Sequence, residues 1–291
     1  MWKPYQQFAQ QHFPELCQQR PVNSHKGTFG TVAIIGGHTG MSGAVIMAAR
    51  AALKMGAGKV KIGFSQDCLP LPVLETQPEI MLYTAQELLQ HTDISAWSVG
   101  CGLDTNARSL QLMQQAQQRF QAETNSLVVW DADALNLFSL HPNLQAAIQK
   151  QHIITPHPTE AARLLQVSTA EIQANRHAAV AQLCERLGCI SVLKGHHSLV
   201  QAATAENAYV NLSGNAGLAT AGSGDILSGF MTSLLAQGIQ PAIAAPAAVW
   251  IHAAAAEVLA LQSIGPIGMV ATELIDAARL LRNQLSVTID F

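Results

Sequence analysis

Charged side chains are scarce in this sequence, and neither sign dominates. Lysine and arginine together number 16 and aspartate and glutamate 19, so charged residues make up 12% of the 291 and the formal net charge is −3. A polyanionic partner or an anionic membrane surface selects for clustered positive charge. The composition therefore predicts no nucleic-acid partner and no binding to a membrane surface.

The sequence also lacks an apolar run suited to membrane targeting or crossing. Residues 1–7 contain no continuous apolar segment of the kind found in a secretory signal. The most apolar region, 241–260, is mostly alanine and is interrupted by Pro246, His252 and Glu257. A buried helix fits this region better than a membrane span. We expect a cytoplasmic protein.

Cysteine is sparse and no Cys-x-x-Cys pair is present. The five cysteines are Cys17, Cys68, Cys101, Cys184 and Cys189. An odd number without paired spacing predicts reduced thiols, as in a cytoplasmic protein. There is no His-Glu-x-x-His motif or Cys/His cluster with zinc spacing either, so we expect no dedicated metal cage.

Short β-rich segments alternate with amphipathic ones. Strands are predicted at 31–35, 60–64, 97–100, 127–130, 152–155 and 190–193, with a late hairpin or edge pair at 198–201 and 209–211. Helices are predicted at 44–55, 109–121 and 169–186, and the chain from Asp225 onward is predicted to be almost wholly helical. This alternation predicts an α/β fold with a mostly parallel central sheet and helices on both faces. We expect residues 1–291 to form a single domain.

Residues with distinctive chemistry directly follow the predicted strands. They occupy segments 36–40, 100–102, 131–133, 156–158 and 194–198. Since the carboxyl ends of parallel strands meet at one edge of a sheet, one crevice can collect all five segments. The glycines at 36, 37, 40 and 43 have neither the Gly-x-Gly-x-x-Gly spacing nor the Lys-Ser/Thr ending of a P-loop, which excludes both familiar nucleotide motifs.

The most informative segment is 214–225, Gly-Asn-Ala-Gly-Leu-Ala-Thr-Ala-Gly-Ser-Gly-Asp, which leads directly into an apolar helical run. Free N–H groups and a carboxylate at a helix N-terminus can receive an anion and activate a hydroxyl beside it. The helix dipole alone explains an acid at Asp225. It does not explain four glycines in the eleven preceding residues, each of which costs backbone entropy. The segment therefore predicts a phosphoryl-transfer centre.

Three other loops have a functional and an ordinary interpretation. Segment 194–198, Lys-Gly-His-His-Ser, suits the phosphate and ribose of a nucleotide, although Lys-Gly is a common pair. His157 lies between two prolines at a predicted helix start, where it either contacts a substrate or makes a structural hydrogen bond. Asp131 and Asp133 either order water or magnesium around phosphates, or Asp133 N-caps the helix that begins near Ala134.

Together these segments resemble the ADP/ATP-dependent NAD(P)H-hydrate dehydratase family, whose ribokinase-like domain repairs hydrated nicotinamide cofactors. The resemblance covers roughly residues 24–281 and depends on the order and spacing of seven segments. These are 24–27 (Ser-His-Lys-Gly), 40–44 (Gly-Met-Ser-Gly-Ala), 99–103 (Val-Gly-Cys-Gly-Leu), 131–135 (Asp-Ala-Asp-Ala-Leu), 155–160 (Thr-Pro-His-Pro-Thr-Glu), 194–195 (Lys-Gly) and 214–225.

The resemblance implies a ribokinase-like fold and a set of site residues. The hydrated cofactor would contact Ala44, Gly102, His157 and Asp225. The nucleotide would lie against Lys194, Gly195, His196, His197, Ser198 and Gly224. The amides of Gly222, Ser223 and Gly224 would stabilise the transferred phosphoryl group, with Mg²⁺ as cofactor and no purely protein-made metal site.

The resemblance also implies the reaction. Asp225 would accept the proton of the C6 hydroxyl of (6S)-NADHX or NADPHX as that oxygen attacks the terminal phosphoryl of ADP, or of ATP. Similarity to bacterial members favours ADP and a homo-oligomer, with a tetramer preferred. The epimerase domain fused to many relatives is not expected here.

The sequence departs from the family pattern at several turns. Cys101 and Ala216 stand where the family usually has proline, Thr159 replaces glycine, and Ala221 and Ser223 replace glycine and threonine. Two alternatives are a kinase for a small vitamin-like alcohol, such as hydroxyethylthiazole or pyridoxal, and a catalytically silent nucleotide-binding or assembly protein. A kinase would leave a stable phosphate ester, whereas the dehydratase would leave none.

Overall fold

One nine-stranded sheet crosses the part of the chain that this computed structural model describes, residues 1–203 and 205–286. Its strands are β1 Thr31–Gly36, β2 Lys59–Phe64, β3 Met81–Thr84, β4 Ala96–Val99, β5 Val128–Trp130, β6 Ile153–Ile154, β7 Ile190–Leu193, β8 Leu199–Gln201 and β9 Tyr209–Val210. The strand order is β3-β2-β1-β4-β5-β6-β7-β8-β9. Strands β1 to β7 are parallel, and β8 and β9 add an antiparallel edge. The predicted mostly parallel sheet and late edge pair are confirmed.

Helices cover both faces of the sheet. They are α1 Lys3–His12, α2 Ser42–Lys54, α3 Ala85–Leu88, α4 Ala107–Ala122, α5 Asp133–Leu140, α6 Pro158–Leu165, α7 Thr169–Ala174, α8 Arg176–Leu187, α9 Ser223–Ala236, α10 Pro241–Leu261 and α11 Glu273–Leu285. Alternate residues of β1 point into two separate apolar cores: Val32 and Ile34 pack with α2, α9, α10 and α11, and Ala33 and Ile35 pack with α3 to α8. Burial on both faces explains why residues 32–35 of β1 are all apolar.

Helix α10 is long and apolar enough to cross a membrane by length and composition. In this fold 83% of the most apolar 18-residue stretch of the helix is buried inside the protein. Val249, Trp250 and Ile251 lie within the core shared with α9 and α11. The prediction of a buried helix is therefore confirmed for this segment.

One predicted helix is divided in two in the structure, and the predicted helical region after Asp225 includes a non-helical connection. The single helix predicted at 169–186 is wrong, because the chain breaks at Asn175 into α7 and α8. The Asn175 side chain accepts the Ala178 N–H at 3.0 Å and so caps the second helix. From Asp225 onward the described chain is helical in α9, α10 and α11, with a non-helical connection at 262–272, while 287–291 lie outside the described residues.

The strand order places a crevice at the carboxyl ends of β1 and β4. The chain runs outward from β1 to β2 and β3, and then returns to the other side of β1 with β4. Loops leaving neighbouring strands in opposite directions open a binding crevice at such a switch point. Hydrogen bonds beyond the strands join its two walls, from the Gly37 N–H to the Cys101 carbonyl at 3.0 Å and from the His38 N–H to the Gly102 carbonyl at 2.7 Å.

Candidate active site

The N-terminus of α9 supplies a carboxylate and unpaired backbone donors together. Gly222, the N-cap, has a φ of +87°, a left-handed conformation that glycine adopts without strain. The first α-helical hydrogen bond runs from the Ile226 N–H to the Gly222 carbonyl at 3.1 Å. The preceding N–H groups of Ser223, Gly224 and Asp225 therefore have no acceptor within the helix, although the Ser223 N–H reaches the Thr220 carbonyl at 3.3 Å.

Neighbouring groups shift the pKa of the Asp225 carboxyl in opposite directions. Burial raises its pKa, and the nearby Asp131 carboxylate raises it further. The nearby Cys101 thiol and the charge of Lys194 lower it, while Asp133 raises it, and the pKa reaches about 6. Asp225 is therefore ionised at neutral pH yet basic enough to accept a proton, as a general base requires.

A buried ion pair lies beside Asp225. The Lys194 ammonium donates to Asp131 Oδ1 at 2.6 Å, and the Ser228 hydroxyl donates to Asp131 Oδ2 at 2.7 Å. Asp131 is 1% exposed. Burial alone would raise its pKa, but the Lys194 charge and these hydrogen bonds outweigh it, so the pKa lies below its ordinary value. Asp131 therefore remains an anion that holds Lys194 in place.

The Lys194 side chain lies beside Asp131 and the first turn of α9, apart from the loop 195–198 that follows it. A β-carbon on Gly224 would lie 3.5 Å from the Lys194 ammonium and 3.9 Å from Asp131 Oδ2. The Lys194 charge thus faces the first turn of α9, where a phosphate oxygen can meet both the ammonium and the helix N–H groups. Sequence reasoning grouped Lys194 with the four residues after it, because it could not show the direction of the side chain.

The other predicted nucleotide residues form an exposed loop between β7 and β8. Gly195, His196 and His197 are exposed and Ser198 is half-buried. The two histidine rings are tilted by 33° with their centroids 3.8 Å apart, and the Gly195 N–H donates to the Ser198 hydroxyl at 3.3 Å. Arg176 fixes the loop by donating to the Leu193, Lys194 and His197 carbonyls.

His157 makes structural hydrogen bonds, which was one of the two roles predicted for it from the sequence. Its Nδ1 accepts the N–H groups of Thr159 and Glu160 at 3.1 and 3.4 Å, which makes it the N-cap of α6. Burial, together with the charge of Lys194, holds its pKa below the ordinary value. The ring is therefore neutral with its proton on Nε2, which lies 3.3 Å from Glu160 Oε1, and the side chain remains 47% exposed.

Glu160 is a site residue that sequence reasoning did not single out. It completes the capping box by accepting the His157 N–H at 2.8 Å, and it is 5% exposed. Burial raises its pKa to about 7, against the lowering effect of Lys194. The spacing of a cap residue and a glutamate three positions later was the available signal.

Gly102 packs against Ala44 just after the end of β4. Gly102 has a φ of +57°, and a β-carbon there would lie 2.9 Å from Met41 Cβ and 3.0 Å from Ala44 Cβ. Behind them, His38 Nε2 lies 3.5 Å from Asp104 Oδ2. The structure therefore brings these two of the four predicted cofactor-contact positions, Ala44 and Gly102, together.

Asp133 braces a loop and does not cap a helix. The N-cap of α5 is Ala132, at a φ of +50°, and Asp133 is the first helical residue. Its carboxylate accepts the Asp104 N–H at 2.8 Å and the Asn136 amide at 3.2 Å. The alternative in which Asp133 is the N-cap is therefore wrong.

A magnesium ion fits this edge of the sheet only if the phosphates of a bound nucleotide supply some of its ligands. Among residues 1–203 and 205–286 no group of three His, Cys, Asp or Glu side chains is placed to hold a metal ion. The carboxylates of Asp131 and Asp133 already accept protein donors. Mg²⁺ commonly keeps several waters and binds through substrate phosphates, so the residues present fit an ion carried by the nucleotide.

Comparisons with known proteins match this chain to one family. The sequence profile of the NAD(P)H-hydrate dehydratase family matches residues 32–279. The ADP-dependent (S)-NAD(P)H-hydrate dehydratase of Neisseria meningitidis serogroup B is 48% identical over 276 residues, which are 94% of this chain and 92% of that protein. The bifunctional NAD(P)H-hydrate repair enzyme of Escherichia coli is 36% identical over 285 residues, and the match spans 96% of this chain but 52% of that enzyme. This chain thus spans about half the length of the bifunctional relative.

Solved structures give the same result. The ADP/ATP-dependent NAD(P)H-hydrate dehydratase of Bacillus subtilis, co-crystallised with ATP and Mg²⁺, superposes with a TM-score of 0.78 at 26% identity, covering 92% of this chain and 94% of that one. A ribokinase-like superfamily protein from Enterococcus faecalis gives a TM-score of 0.79 at 27% identity, covering 93% and 92%. The predicted ribokinase-like fold is confirmed, and the chain belongs to the NAD(P)H-hydrate dehydratase family.

Proposed function

We propose that this protein is a hydro-lyase that dehydrates the S epimer of hydrated NADH or NADPH at the expense of ADP. The observation that carries the proposal is the placement of Asp225, a partly buried carboxylate with a pKa of about 6, at a helix N-terminus with unpaired N–H donors. This arrangement supplies a base and an anion site within one helical turn. Family membership supplies the substrate class.

The first step transfers a phosphoryl group. Asp225 accepts the proton of the C6 hydroxyl while that oxygen forms a bond to the terminal phosphorus of ADP, and the bond from that phosphorus to the bridging oxygen of AMP breaks. The N–H groups of Gly222, Ser223 and Gly224, with Lys194, face the charge of the transferred group in this proposal. Mg²⁺, when bound through the nucleotide phosphates, neutralises part of their charge.

The second step restores the dihydronicotinamide. The lone pair of the ring nitrogen forms a double bond to C6 and expels phosphate, and loss of the C5 proton then regenerates the conjugated ring. The net reaction converts the hydrate and ADP into reduced cofactor, AMP and phosphate. Helix-end electrostatics contributes about 1 kcal/mol, far less than the 8 or more kcal/mol typical of enzymes, so positioning of the two substrates must contribute most.

The two substrates occupy different parts of the crevice in this proposal. The hydrated ring contacts Ala44, Gly102 and His157, and its C6 hydroxyl reaches Asp225. The nucleotide lies along the loop 195–198, with its terminal phosphate against both Lys194 and Gly224. A β-carbon on Gly224 would lie 3.5 Å from the Lys194 ammonium, so a phosphate beside the glycine can contact both groups.

The molecular setting is also part of the proposal. Residues 1–291 act as a single domain, because one sheet runs through the described chain. A cytoplasmic location agrees with five free cysteines. The oligomeric state stays a prediction, with a homotetramer preferred.

The decisive assay mixes purified protein, Mg²⁺, ADP and the S-hydrate of NADH, with ATP in a parallel reaction, and follows near-ultraviolet absorbance of the reduced ring. A nucleotide-dependent rise with AMP and phosphate as products is expected. No rise, with both nucleotides intact, would instead lead to a screen of small alcohols, in which a stable phosphate ester would identify a small-alcohol kinase. Nucleotide binding without consumption of any substrate would identify a silent binding protein.

Substituting Gly224 with alanine tests the phosphate position. The new methyl group makes ordinary contacts, since its nearest neighbours are 3.5 and 3.9 Å away, and it improves helix propensity, so folding should be preserved. The methyl group occupies the space beside Lys194 that the terminal phosphate needs. We expect KM for ADP to rise about tenfold or more, as measured by steady-state kinetics, with an unchanged or higher Tm. An unchanged KM would move the phosphate elsewhere.

A further inference from the structure

Arg176 is the first residue of α8, and its guanidinium packs against the loop between β7 and β8. The helix dipole disfavours a positive charge at a helix N-terminus. In the part of the chain that the structure describes, no carboxylate offsets this charge, and the side chain that the guanidinium contacts is the neutral amide of Gln173, whose Oε1 accepts at 3.3 Å. Neither the helix dipole nor an ion pair therefore explains an arginine at this position.

The Arg176 guanidinium binds backbone carbonyls at both ends of this loop. Its Nη2 donates to the Leu193 carbonyl at 3.2 Å, to the Lys194 carbonyl at 3.4 Å and to the His197 carbonyl at 3.5 Å. Its Nη1 also donates to the Lys194 carbonyl, at 3.5 Å. The planar fork of arginine presents several N–H groups in a fixed arrangement, which the single ammonium of lysine does not. Arg176 thus joins the end of β7 to the far side of the loop.

The backbone of the loop is unusual at two residues that Arg176 contacts. Gly195 has a φ of +138° and His197 a φ of +52°. A β-carbon on Gly195 would lie 2.7 Å from Arg176 Nη1 and 3.2 Å from Nη2, so the guanidinium fills the space that a side chain there would need. A positive φ strains a residue other than glycine, and the hydrogen bond to the His197 carbonyl helps to hold it there. The conformation of the loop therefore depends on Arg176.

We propose that Arg176 is a positioning residue for ADP, which holds the loop 195–198 in the conformation that binds the nucleotide. This inference rests on the proposed function, in which the nucleotide lies along this loop. Arg176 also helps to fix the backbone of Lys194, whose N–H donates to the Pro156 carbonyl at 2.9 Å while its carbonyl accepts from the guanidinium. Loss of the guanidinium should therefore weaken the binding of ADP more than that of the hydrate, whose proposed contacts lie on other loops.

The kinetic test compares the full chain with Arg176→Met and Arg176→Lys. Arg176→Met keeps an unbranched side chain but removes every donor, so KM for ADP should rise about tenfold or more, while kcat at saturating ADP and KM for the hydrate change less than about twofold. Arg176→Lys keeps the charge without the fork and should recover only part of the loss. The matched control is Arg186→Met, which removes an exposed arginine from the last turn of the same helix and should leave both KM values unchanged.

Three results would overturn the positioning role. Equal increases in both KM values, or a lower Tm with an unchanged KM for ADP, would make Arg176 a structural residue only. Complete recovery in Arg176→Lys would show that the positive charge alone is needed and that the fork is not.

Amide hydrogen exchange in residues 195–198 supplies a measurement that does not depend on activity. Exchange there should be faster in Arg176→Met than in the wild type, and bound ADP should slow it in the wild type. If ADP binds and leaves this exchange unchanged, the inference is wrong even where the variants fail to fold. A wild-type protein that binds ADP without dehydrating the hydrate would refute the proposed function, and the Kd for ADP of Arg176→Met, measured by calorimetry, would then decide the role of Arg176.

Discussion

Replacing Asp225 with asparagine is expected to lower kcat at least about a hundredfold, because the amide cannot accept the proton of the attacking hydroxyl. The size and hydrogen-bonding reach of the side chain are nearly unchanged. ADP binding, measured by calorimetry, should therefore be retained to within a fewfold. Turnover close to that of the wild type would remove Asp225 from the role of base. Loss of ADP binding would instead indicate that the first turn of α9 had collapsed.

The same substitution should stabilise the fold. The folded protein raises the pKa of Asp225 from 3.8 to about 6. The folded state therefore holds the Asp225 proton more tightly than the unfolded chain does. Stability is consequently lost as the pH rises from about 4 to about 6. Above that window ionised Asp225 lowers the free energy of unfolding by at most about 3 kcal/mol.

Thermal unfolding measured at several pH values tests the direction of this change in stability. Asp225→Asn should have a higher Tm than the wild type at about pH 8, and the difference should vanish below about pH 4. The pH dependence of the wild-type kcat should run opposite to that of stability. We expect kcat to decline as the pH drops through about 6, because Asp225 gains a proton. A variant that is inactive and more stable shows that this carboxylate serves the reaction at the expense of the fold.

Much of the fold and the centre of the site could be predicted because their signals are local. Buried parallel strands are short apolar runs, and the glycine-rich turn before Asp225 is contiguous in sequence. The break at Asn175 was missed because a polar residue in a helical pattern is compatible both with a solvated face and with a new N-cap.

The partners of the central carboxylates could not be predicted in the same way. Ser228 reaches Asp131 across 97 positions of sequence and Lys194 reaches it across 63, so only the sheet order brings them together. Ser228 is three positions after Asp225 in α9, which places both on one helical face, but serine in a helix is too common to indicate a role. The direction of the Lys194 side chain likewise depends on Asp131.

The Asp131–Lys194 pair should respond strongly to loss of either charge. Lys194→Met leaves Asp131, which is 1% exposed, without its cation beside Asp225 and Glu160. Removing one partner of a buried pair costs about 3–5 kcal/mol. We expect a loss of stability of that size at about pH 8, measured by urea unfolding, together with a large loss of turnover. Because Lys194 lowers the pKa of Asp225, the acidic limb of any residual activity should also move upward.

The double variant Asp131→Asn, Lys194→Met separates the structural from the chemical role of the pair. With no charge left unpaired, most of the lost stability should return, which gives a coupling energy well above that of independent sites. Turnover should not return, because the phosphoryl group still lacks the Lys194 cation. The matched control is Lys59→Met, which breaks the 3.0 Å pair between Lys59, at the start of β2, and half-exposed Asp93, and which should cost at most about 1 kcal/mol. Additive destabilisation in the double variant would mean that Lys194 and Asp131 contribute separately, and Lys194 would then be free to bind phosphate without Asp131 holding it.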